Sequence, residues 1–286
     1  MFSVRFLIRQ TGLLATLVIS QFSFATSWHD IDEPYPDPPA AIGIYNNGCL
    51  AGAQPMPLEG KGFQVIRASR NRYYGHPELI KFVQDLGTNV KAGSGKDLLI
   101  ADMSMPRGGT FLSGHASHQI GLDVDIWFRQ VDKSFSKAQR ETPYSINLVD
   151  QKQFKVNKHW QNNHASMILL AASDPRVARI FVNPVIKQQL CEMSWKDDNW
   201  LNKVRPWWGH ASHMHVRLTC PEDDTLCTNQ MLPAEGNGCN EIAWWKEQMT
   251  QPKKPQTTKS KKKTAKVKKP AKVKPQQCGP LLATAG

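Results

Sequence analysis

The sequence predicts a single α+β domain, in which a central antiparallel sheet is flanked by helices and loops and stabilised by disulfides. Helical and strand-like segments follow one another without the regular alternation of a doubly wound parallel sheet. Two segments alternate apolar and polar residues with a period of two, which is typical of strands that cover a core on one side. Six cysteines, an even number, occur in a chain that opens like an exported protein.

The first 25 residues are predicted to be a secretory signal peptide. Arg5 and Arg9 precede an apolar run over residues 13–19, and Ala25 offers a small residue for cleavage. The run is too short to span a membrane, and no later stretch approaches the ~20 apolar residues that a spanning helix needs. A buried N-terminal helix is the alternative interpretation. We expect a soluble, exported mature protein without a transmembrane segment.

The segment "HPELIKFVQDLG" predicts an amphipathic helix. Leu79, Phe82, Val83 and Leu86 fall at i, i+3, i+4 and i+7, so they share one helix face. Gly87 follows the last of them and is predicted to end the helix.

Three later segments continue the irregular succession of strands and helices. "DLLIADM", beginning at Asp97, is a short apolar run that suits a buried strand, and "SMILLAASDPRV" predicts a second helix. "RIFVNPVIKQQLC" predicts a strand that ends at Asn183. This asparagine is then expected to cap a helix that has Pro184 at its first position.

Two predicted strands carry most of the polar residues of interest. In "GLDVDIW" one face holds Asp123, Asp125 and Trp127. In "HMHVRLTC" one face holds His213, His215 and Arg217. The alternating positions of both strands are apolar: Leu122, Val124, Ile126, Met214, Val216 and Leu218. If the two strands pair, two carboxylates and two histidines share the open face.

Histidine and carboxylate side chains in this arrangement can bind a metal ion. A catalytic zinc site takes three such ligands and keeps a fourth position for water. His118, Asp125 and His215 can supply the set, with His118 reaching in from the loop before the first strand. These donors suit zinc better than calcium or magnesium, which prefer oxygen-rich sites.

Three further histidines complete the cluster. His213 lies on the same face as His215 and is a candidate base, and His115 and His210 fall within the same two short segments. The alternative is that the histidines are structural and that the aspartates of the first strand are outward-facing polar residues.

The six cysteines lack the C-x-x-C spacing of a zinc ribbon or redox motif. In an exported chain they are best interpreted as three disulfides, although six cysteines permit 15 connectivities. Sequence proximity favours one pair, Cys220 with Cys227.

The positive charge of the chain is confined to its C-terminal tail. Residues 251–274 hold eleven lysines and no acid, so removing them reduces the net charge from +12 to +1. A Lys/Pro/Thr run buries too little apolar surface to fold alone, and we predict no nucleic-acid partner. The run is either a solvated linker or a segment attracted to an acidic polymer or an anionic lipid surface.

Four segments match a known family: "GGTFLSGHASHQIGLDVDIW", "RNRYYGHPELIKFVQDL", "RIFVNPVIKQQLC" and "KVRPWWGHASHMHVRLTCP". They resemble the penicillin-insensitive murein endopeptidases of the LAS metallopeptidase group, over nearly the whole chain between the signal and the lysine run. The H-x6-D element of the family falls on His118 and Asp125, and its H-x-H element on His213 and His215. The resemblance implies zinc held by His118, Asp125 and His215, with His213 as the catalytic histidine.

Other family positions are matched less directly. The resemblance implies that His115 is a further metal ligand or a group that supports the ligands. His210 also matches a family position, and we predict that it is a catalytic residue together with His213. The resemblance implies three disulfides: Cys49–Cys278, Cys191–Cys239 and Cys220–Cys227. Some relatives have a second metal site after the first motif, but Asp150 and His159 are too far apart in the sequence to supply it. The tail is also more basic than is typical of the family.

The resemblance implies a periplasmic zinc endopeptidase that hydrolyses D-alanyl–meso-diaminopimelyl cross-links in peptidoglycan. Because no serine nucleophile is needed, penicillin would not inhibit it. The chain would then comprise a signal peptide (1–25), a zinc metallopeptidase domain (26–250) and a tail (251–286) that ends in a disulfide-forming segment. The alternatives are a non-haem iron(II) oxygenase, since two histidines and a carboxylate also form a facial triad, and a non-catalytic cell-wall-binding module.

Overall fold

The computed structural model describes residues 27–251 and 272–282, so the predicted signal peptide and most of the lysine run lie outside the described residues. No helix in these two ranges is long and apolar enough to cross a membrane.

The strands are β1 (Ala40–Ile44), β2 (Asn47–Ala51), β3 (Gln54–Pro55), β4 (Glu59–Gly60), β5 (Phe63–Val65), β6 (Tyr74–Gly75), β7 (Asp97–Ile100), β8 (Asp123–Val131), β9 (Val149–Asp150), β10 (Lys155–Val156), β11 (Val177–Val182), β12 (Val204–Pro206) and β13 (His213–Leu218). The α-helices are α1 (Pro77–Ser94), α2 (Lys137–Glu141), α3 (Asn162–Ser173), α4 (Pro184–Glu192), α5 (Ile242–Thr250) and α6 (Gly279–Leu282). Short 3₁₀ turns cover Trp28–Asp30, Ala68–Arg70, Asn199–Lys203, Cys239–Glu241 and Gln276–Cys278.

Seven strands form one sheet in the order β12-β11-β13-β8-β7-β5-β4. The predicted α+β class is confirmed, but the sheet is mixed and not wholly antiparallel. Its four central strands, β11, β13, β8 and β7, are antiparallel neighbours, whereas β12 and β5 join them as parallel strands. The reason is connectivity. Helix α1 lies between β5 and β7 in the chain, and α4 between β11 and β12, and a helical crossover returns the chain in the same direction.

The pairing of β8 with β13 agrees with the prediction from their alternating residues. The register sets His215 opposite Asp125 and Arg217 opposite Asp123. The apolar positions of both strands belong to the main core and are fully buried: Val124, Ile126, Met214 and Val216. One face of this strand pair therefore closes the core, and the other presents the polar residues.

Helix α1 covers the core face of the sheet, and its predicted apolar stripe is buried. The prediction that Gly87 ends this helix is wrong, because the helix continues to Ser94 and Gly95 ends it in the left-handed region at φ 72°. Gly87 instead allows a close approach: a Cβ there would lie 3.1 Å from the carbonyl oxygen of Gly62. The packing contact outweighs the ~1 kcal/mol that a glycine costs inside a helix.

The second predicted helix is α3, which begins four residues before the predicted segment and ends at Ser173. The last residues of "SMILLAASDPRV" are not helical. The residue that precedes Pro175 is disfavoured in the helical region, so Asp174 adopts an extended conformation and β11 follows at Val177.

The predicted junction between strand and helix at Asn183 is confirmed. Strand β11 ends at Val182, and the Asn183 side chain accepts a hydrogen bond of 3.0 Å from the Val185 N–H. Pro184 occupies the first position of α4, where the absence of an N–H costs nothing.

Three disulfides connect the six cysteines, in the pairs that the family resemblance implies, and none is left free. Cys49–Cys278 joins β2 to the C-terminal segment over a separation of 229 residues, whereas Cys220–Cys227 closes a loop over a separation of 7. The first bridge therefore holds residues 272–282 against the domain.

We expect thiol titration of the denatured, unreduced mature protein to find no reactive thiol. Replacing both cysteines of Cys49–Cys278 with serine should lower the free energy of unfolding by about 2–5 kcal/mol, since cross-linking a long loop removes more entropy from the unfolded chain. The same change at Cys220–Cys227 is the matched control and should cost less, as measured by urea denaturation. Two or more reactive thiols, or the opposite order of the two variants, would contradict this account.

Candidate active site

The polar face of the β8–β13 pair brings together the side chains predicted to bind metal. The ligand atoms of His115, His118, Asp125 and His215 all lie within 4.8 Å of one another. Asp125 is at the centre of the group. Its Oδ1 lies 3.0 Å from His215 Nδ1 and 3.6 Å from His118 Nε2, and its Oδ2 lies 3.3 Å from His115 Nε2.

Buried polar atoms of this group lack hydrogen-bond partners. Both ring nitrogens of His118 and Oδ1 of Asp125 have none, although His118 is 0% and Asp125 only 3% exposed. An unsatisfied buried polar atom costs about 1–3 kcal/mol of stability, so several such atoms in one place indicate a missing binding partner. A cation bound between them would offset this cost. Imidazole nitrogens and a carboxylate at this spacing suit zinc. The residues present therefore fit the implied metal.

Neighbouring charges and burial shift the pKa values of these candidate ligands in opposite directions. Burial raises the pKa of Asp125, but the nearby His118 and His213 outweigh burial and hold this pKa well below its usual range. Burial lowers the pKa of His215, but Asp123 and Asp125 outweigh it and raise this pKa to about 9. The carboxylate is thus ionised, and a metal ion that binds His215 displaces a proton.

Asp123 holds two of the candidate ligands in place. Its carboxylate is fully buried: Oδ1 lies 3.2 Å from His215 Nε2, and Oδ2 accepts a hydrogen bond of 3.0 Å from the His118 N–H. Arg217 donates a hydrogen bond of 2.7 Å to the same carboxylate, and its positive charge stabilises the ionised form of Asp123. The interpretation of Asp123 and Asp125 as outward-facing polar residues is therefore wrong.

The bond from Asp123 also supports an unusual backbone conformation. His118 has φ 68°, in the left-handed region that a non-glycine residue adopts at a cost of roughly 1–3 kcal/mol. This conformation turns the imidazole inward from the loop before β8. Strain at this position is consistent with a functional site.

His115 occupies the outer side of the cluster, where its side chain is 26% exposed. Its Nε2 lies 3.5 Å from Asp102 Oδ2 as well as close to Asp125. Arg70 and Arg72 each donate a hydrogen bond of 2.9 Å to Asp102. The Asp102 side chain, together with Asp125, raises the pKa of His115 against the effect of burial.

His213 and His210 lie beside the cluster and pack against each other. His213 Nε2 is buried, has no hydrogen-bond partner and lies 3.7 Å from Asp125 Oδ2. The His210 ring centroid is 4.9 Å from that of His213, and its Nδ1 lies 2.8 Å from the Trp208 carbonyl oxygen. Burial lowers the pKa of both histidines, that of His210 to about 4.

A cleft of about 490 Å³ lies next to the cluster, and His115, His210 and His215 line it. Trp207 and Trp208, each about half exposed, line one side of it, and Phe181 packs between Trp207 and His215 with centroid distances of 5.7 and 5.4 Å. Arg179 lines the same cleft. A substrate can therefore reach the His/Asp cluster from solvent.

Among residues 27–251 and 272–282, no second group of three or more metal-binding side chains comes together. Asp150 instead accepts hydrogen bonds from the backbone N–H groups of Lys152 and Gln153 in its own turn.

The sequence predicts no role for three residues near the cluster. Asp123 is predicted to lie on the polar face, and its supporting role could have been inferred, because the register that sets His215 opposite Asp125 also sets Arg217 opposite Asp123. Asp102 lies beyond β7, where the local pattern gives no indication of its contact with His115. Arg179 is an arginine on a strand, and the sequence gives no sign that it lines the cleft.

The comparisons with known proteins agree with one another. A family model described as penicillin-insensitive murein endopeptidase matches residues 41–283. A protein of that name from Haemophilus influenzae is 48% identical, with 82% of this chain and 83% of the relative covered. Similar proteins of the same name occur in Yersinia enterocolitica (48% identical, 82% and 86% covered) and Citrobacter koseri (46% identical, 88% and 92% covered).

Proposed function

Because the chain belongs to the penicillin-insensitive murein endopeptidase family, we propose that it is a zinc-dependent enzyme that hydrolyses D-alanyl–meso-diaminopimelyl cross-links of peptidoglycan in the periplasm. The observation that carries the proposal is the cluster of His118, Asp125 and His215, whose buried ligand atoms include several without a hydrogen-bond partner, beside a cleft that His215 lines. The amino-terminal signal-like segment and the three disulfides favour an exported protein.

His118, Asp125 and His215 would hold the metal. When bound, zinc lowers the pKa of water to roughly 7 and polarises the scissile carbonyl. Asp123 orients two of these ligands through the contacts described above, and such supporting contacts typically affect metal affinity by about 10–100-fold. Arg217 keeps Asp123 ionised and fixed.

His213 is placed to transfer protons in the reaction. Its Nε2 faces the cluster without a hydrogen-bond partner, so it is free to accept a proton from the attacking water and to donate one to the leaving amine. His210 packs against the His213 ring and limits its rotation.

Digestion of a purified cross-linked muropeptide dimer tests this function. The mass of the products shows which bond is cut: hydrolysis of the D-alanyl–diaminopimelyl bond adds one water and returns two monomers. We expect these products without chelator and none with it, and no effect of penicillin. Products from a glycosidic bond, or from another amide, would contradict the assigned substrate.

We propose that the lysine run tethers the enzyme to its acidic polymer and takes no part in catalysis. Within the described residues of the run, Lys272 and Lys274 donate hydrogen bonds to Asn46 and to the Gly48 carbonyl oxygen, so these two lysines should be retained. Replacing the nine lysines of 252–271 with serine should leave turnover of a small soluble muropeptide unchanged and reduce pull-down with intact sacculi at low salt. The difference should shrink near physiological salt, where the Debye length is about 8 Å. Much slower cleavage of the small substrate would show that the run belongs to the active site.

A further inference from the structure

Arg179 is a buried cation on the wall of the cleft. It lies on β11, directly across from Arg217 on β13, and only 9% of its surface is exposed. Its guanidinium Nη2 donates to the Met231 carbonyl oxygen, but its buried Nε has no hydrogen-bond partner. A buried charge of this kind costs free energy unless it is paired.

The two neighbouring arginines each have an acidic partner, which Arg179 lacks among the described residues. Arg217 is bonded to Asp123, and Arg205 is paired with Glu241. No carboxylate lies within ion-pair distance of Arg179 in the described part of the chain, and residues 1–26, 252–271 and 283–286 contain no Asp or Glu. Arg217 and Arg205 add to the positive potential around it, and burial with these charges lowers its pKa.

Arg179 is also near the reaction centre. The Phe181 ring lies between them, with its centroid 6.0 Å from Arg179 Cζ and 5.4 Å from the ring centroid of His215. Arg179 and His215 also line the same cleft, so one bound peptide can place an anionic group against Arg179 while its amide reaches the cluster. A planar guanidinium with free N–H donors is suited to a carboxylate.

We propose that Arg179 binds a free carboxylate of the substrate peptide and thereby positions the scissile amide. The proposal rests on the proposed function, which supplies the chemistry of the ligand. In a D-alanyl–diaminopimelyl cross-link, the carbon that bears the leaving nitrogen also bears a carboxylate, which is the free carboxylate closest to the scissile bond. Arg179 is assigned to that group and acts as a specificity residue for acidic diaminopimelate.

The test compares two muropeptide dimers, one with the free diaminopimelyl carboxylate and one with that group amidated. Wild type should prefer the free acid in kcat/KM, with most of the effect in KM. Arg179→Gln should lose about 10–100-fold on the free acid, as expected for charge-assisted hydrogen bonds, and little on the amide. The preference should then fall to about one, and Arg179→Lys should retain part of it because the charge remains without the planar donor geometry.

The matched control is Arg205→Gln, which removes a neighbouring arginine that has its own acidic partner; its substrate preference should equal that of wild type. Circular dichroism and zinc content should be unchanged in Arg179→Gln, because its one observed bond is to the carbonyl of an exposed residue. Equal losses on both dimers, or no preference in wild type, would overturn the proposal. A preference lost instead when the glutamyl carboxylate is amidated would assign Arg179 to the other group and overturn the choice made here.

Calorimetric titration with the monomeric product peptide gives the same comparison without turnover. Free acid should bind wild type more tightly than amide, and Arg179→Gln should bind both alike. If wild type fails to cut the free-acid dimer, the proposed function is wrong, and the binding comparison still decides whether Arg179 recognises a carboxylate.

Discussion

Replacing Asp125 with alanine is expected to abolish murein hydrolysis and to remove the bound metal. Its two carboxylate oxygens lie within 3.7 Å of four histidines, so its removal takes away the group at the centre of the cluster. Metal catalysis contributes several kcal/mol to transition-state stabilisation, so its loss corresponds to a fall of at least ~10³-fold in rate. His118→Ala and His215→Ala should have the same effect, measured as turnover of the muropeptide dimer together with zinc content by mass spectrometry.

The matched control is Asp132→Ala, which removes an exposed carboxylate just beyond the end of β8 that is paired with Lys96. It should keep its zinc and its activity. Full zinc occupancy in any one of the three ligand variants would remove that residue from the proposed set. Loss of zinc in Asp132→Ala would show that metal content reports general damage to the fold.

His213→Ala is expected to slow hydrolysis by about 10²–10⁴-fold while zinc is retained, because general acid–base catalysis contributes a factor of this size. Zinc content would thus distinguish the roles of the two histidines of "HMH", since His215→Ala is expected to lose both metal and activity. Zinc retention is expected because His213 approaches Asp125 but is not among the side chains whose ligand atoms all lie within 4.8 Å of one another.

The control for this prediction is His159→Ala, which removes an exposed histidine outside the cluster and should behave as wild type. If His213→Ala cuts the dimer as fast as wild type, His213 is not the catalytic histidine. If it instead loses zinc, His213 belongs with the ligands.

The centre of the sheet and the cluster could be predicted because each depends on a local pattern. Alternation with a period of two fixes which residues of β8 and β13 face the core, and one pairing then places Asp125 beside His215. Asn183 and Pro184 likewise act within one turn of the chain, so their roles at the start of α4 follow from the sequence.

Other features depend on contacts between distant parts of the chain, which no local pattern contains. Gly87 looks like the end of a helix until the close approach of Gly62 is known. Asp102, in the segment after β7, contacts His115 only through the folding of the loop before β8, and Arg179 lies on β11, a strand distant in sequence from the first histidine motif. The two parallel strand pairs, β11 with β12 and β5 with β7, result from the crossovers through α4 and α1, and these are set by packing.

The central claim is that one zinc ion, bound by His118, Asp125 and His215, is required for hydrolysis. It is tested most directly by stripping the mature protein with a chelator and titrating zinc back while cleavage of the muropeptide dimer is followed. Activity should be absent at the start, rise in proportion to zinc and reach a plateau at about one equivalent per chain. Full activity in the stripped protein would contradict the claim, as would recovery with iron(II) alone accompanied by uptake of dioxygen.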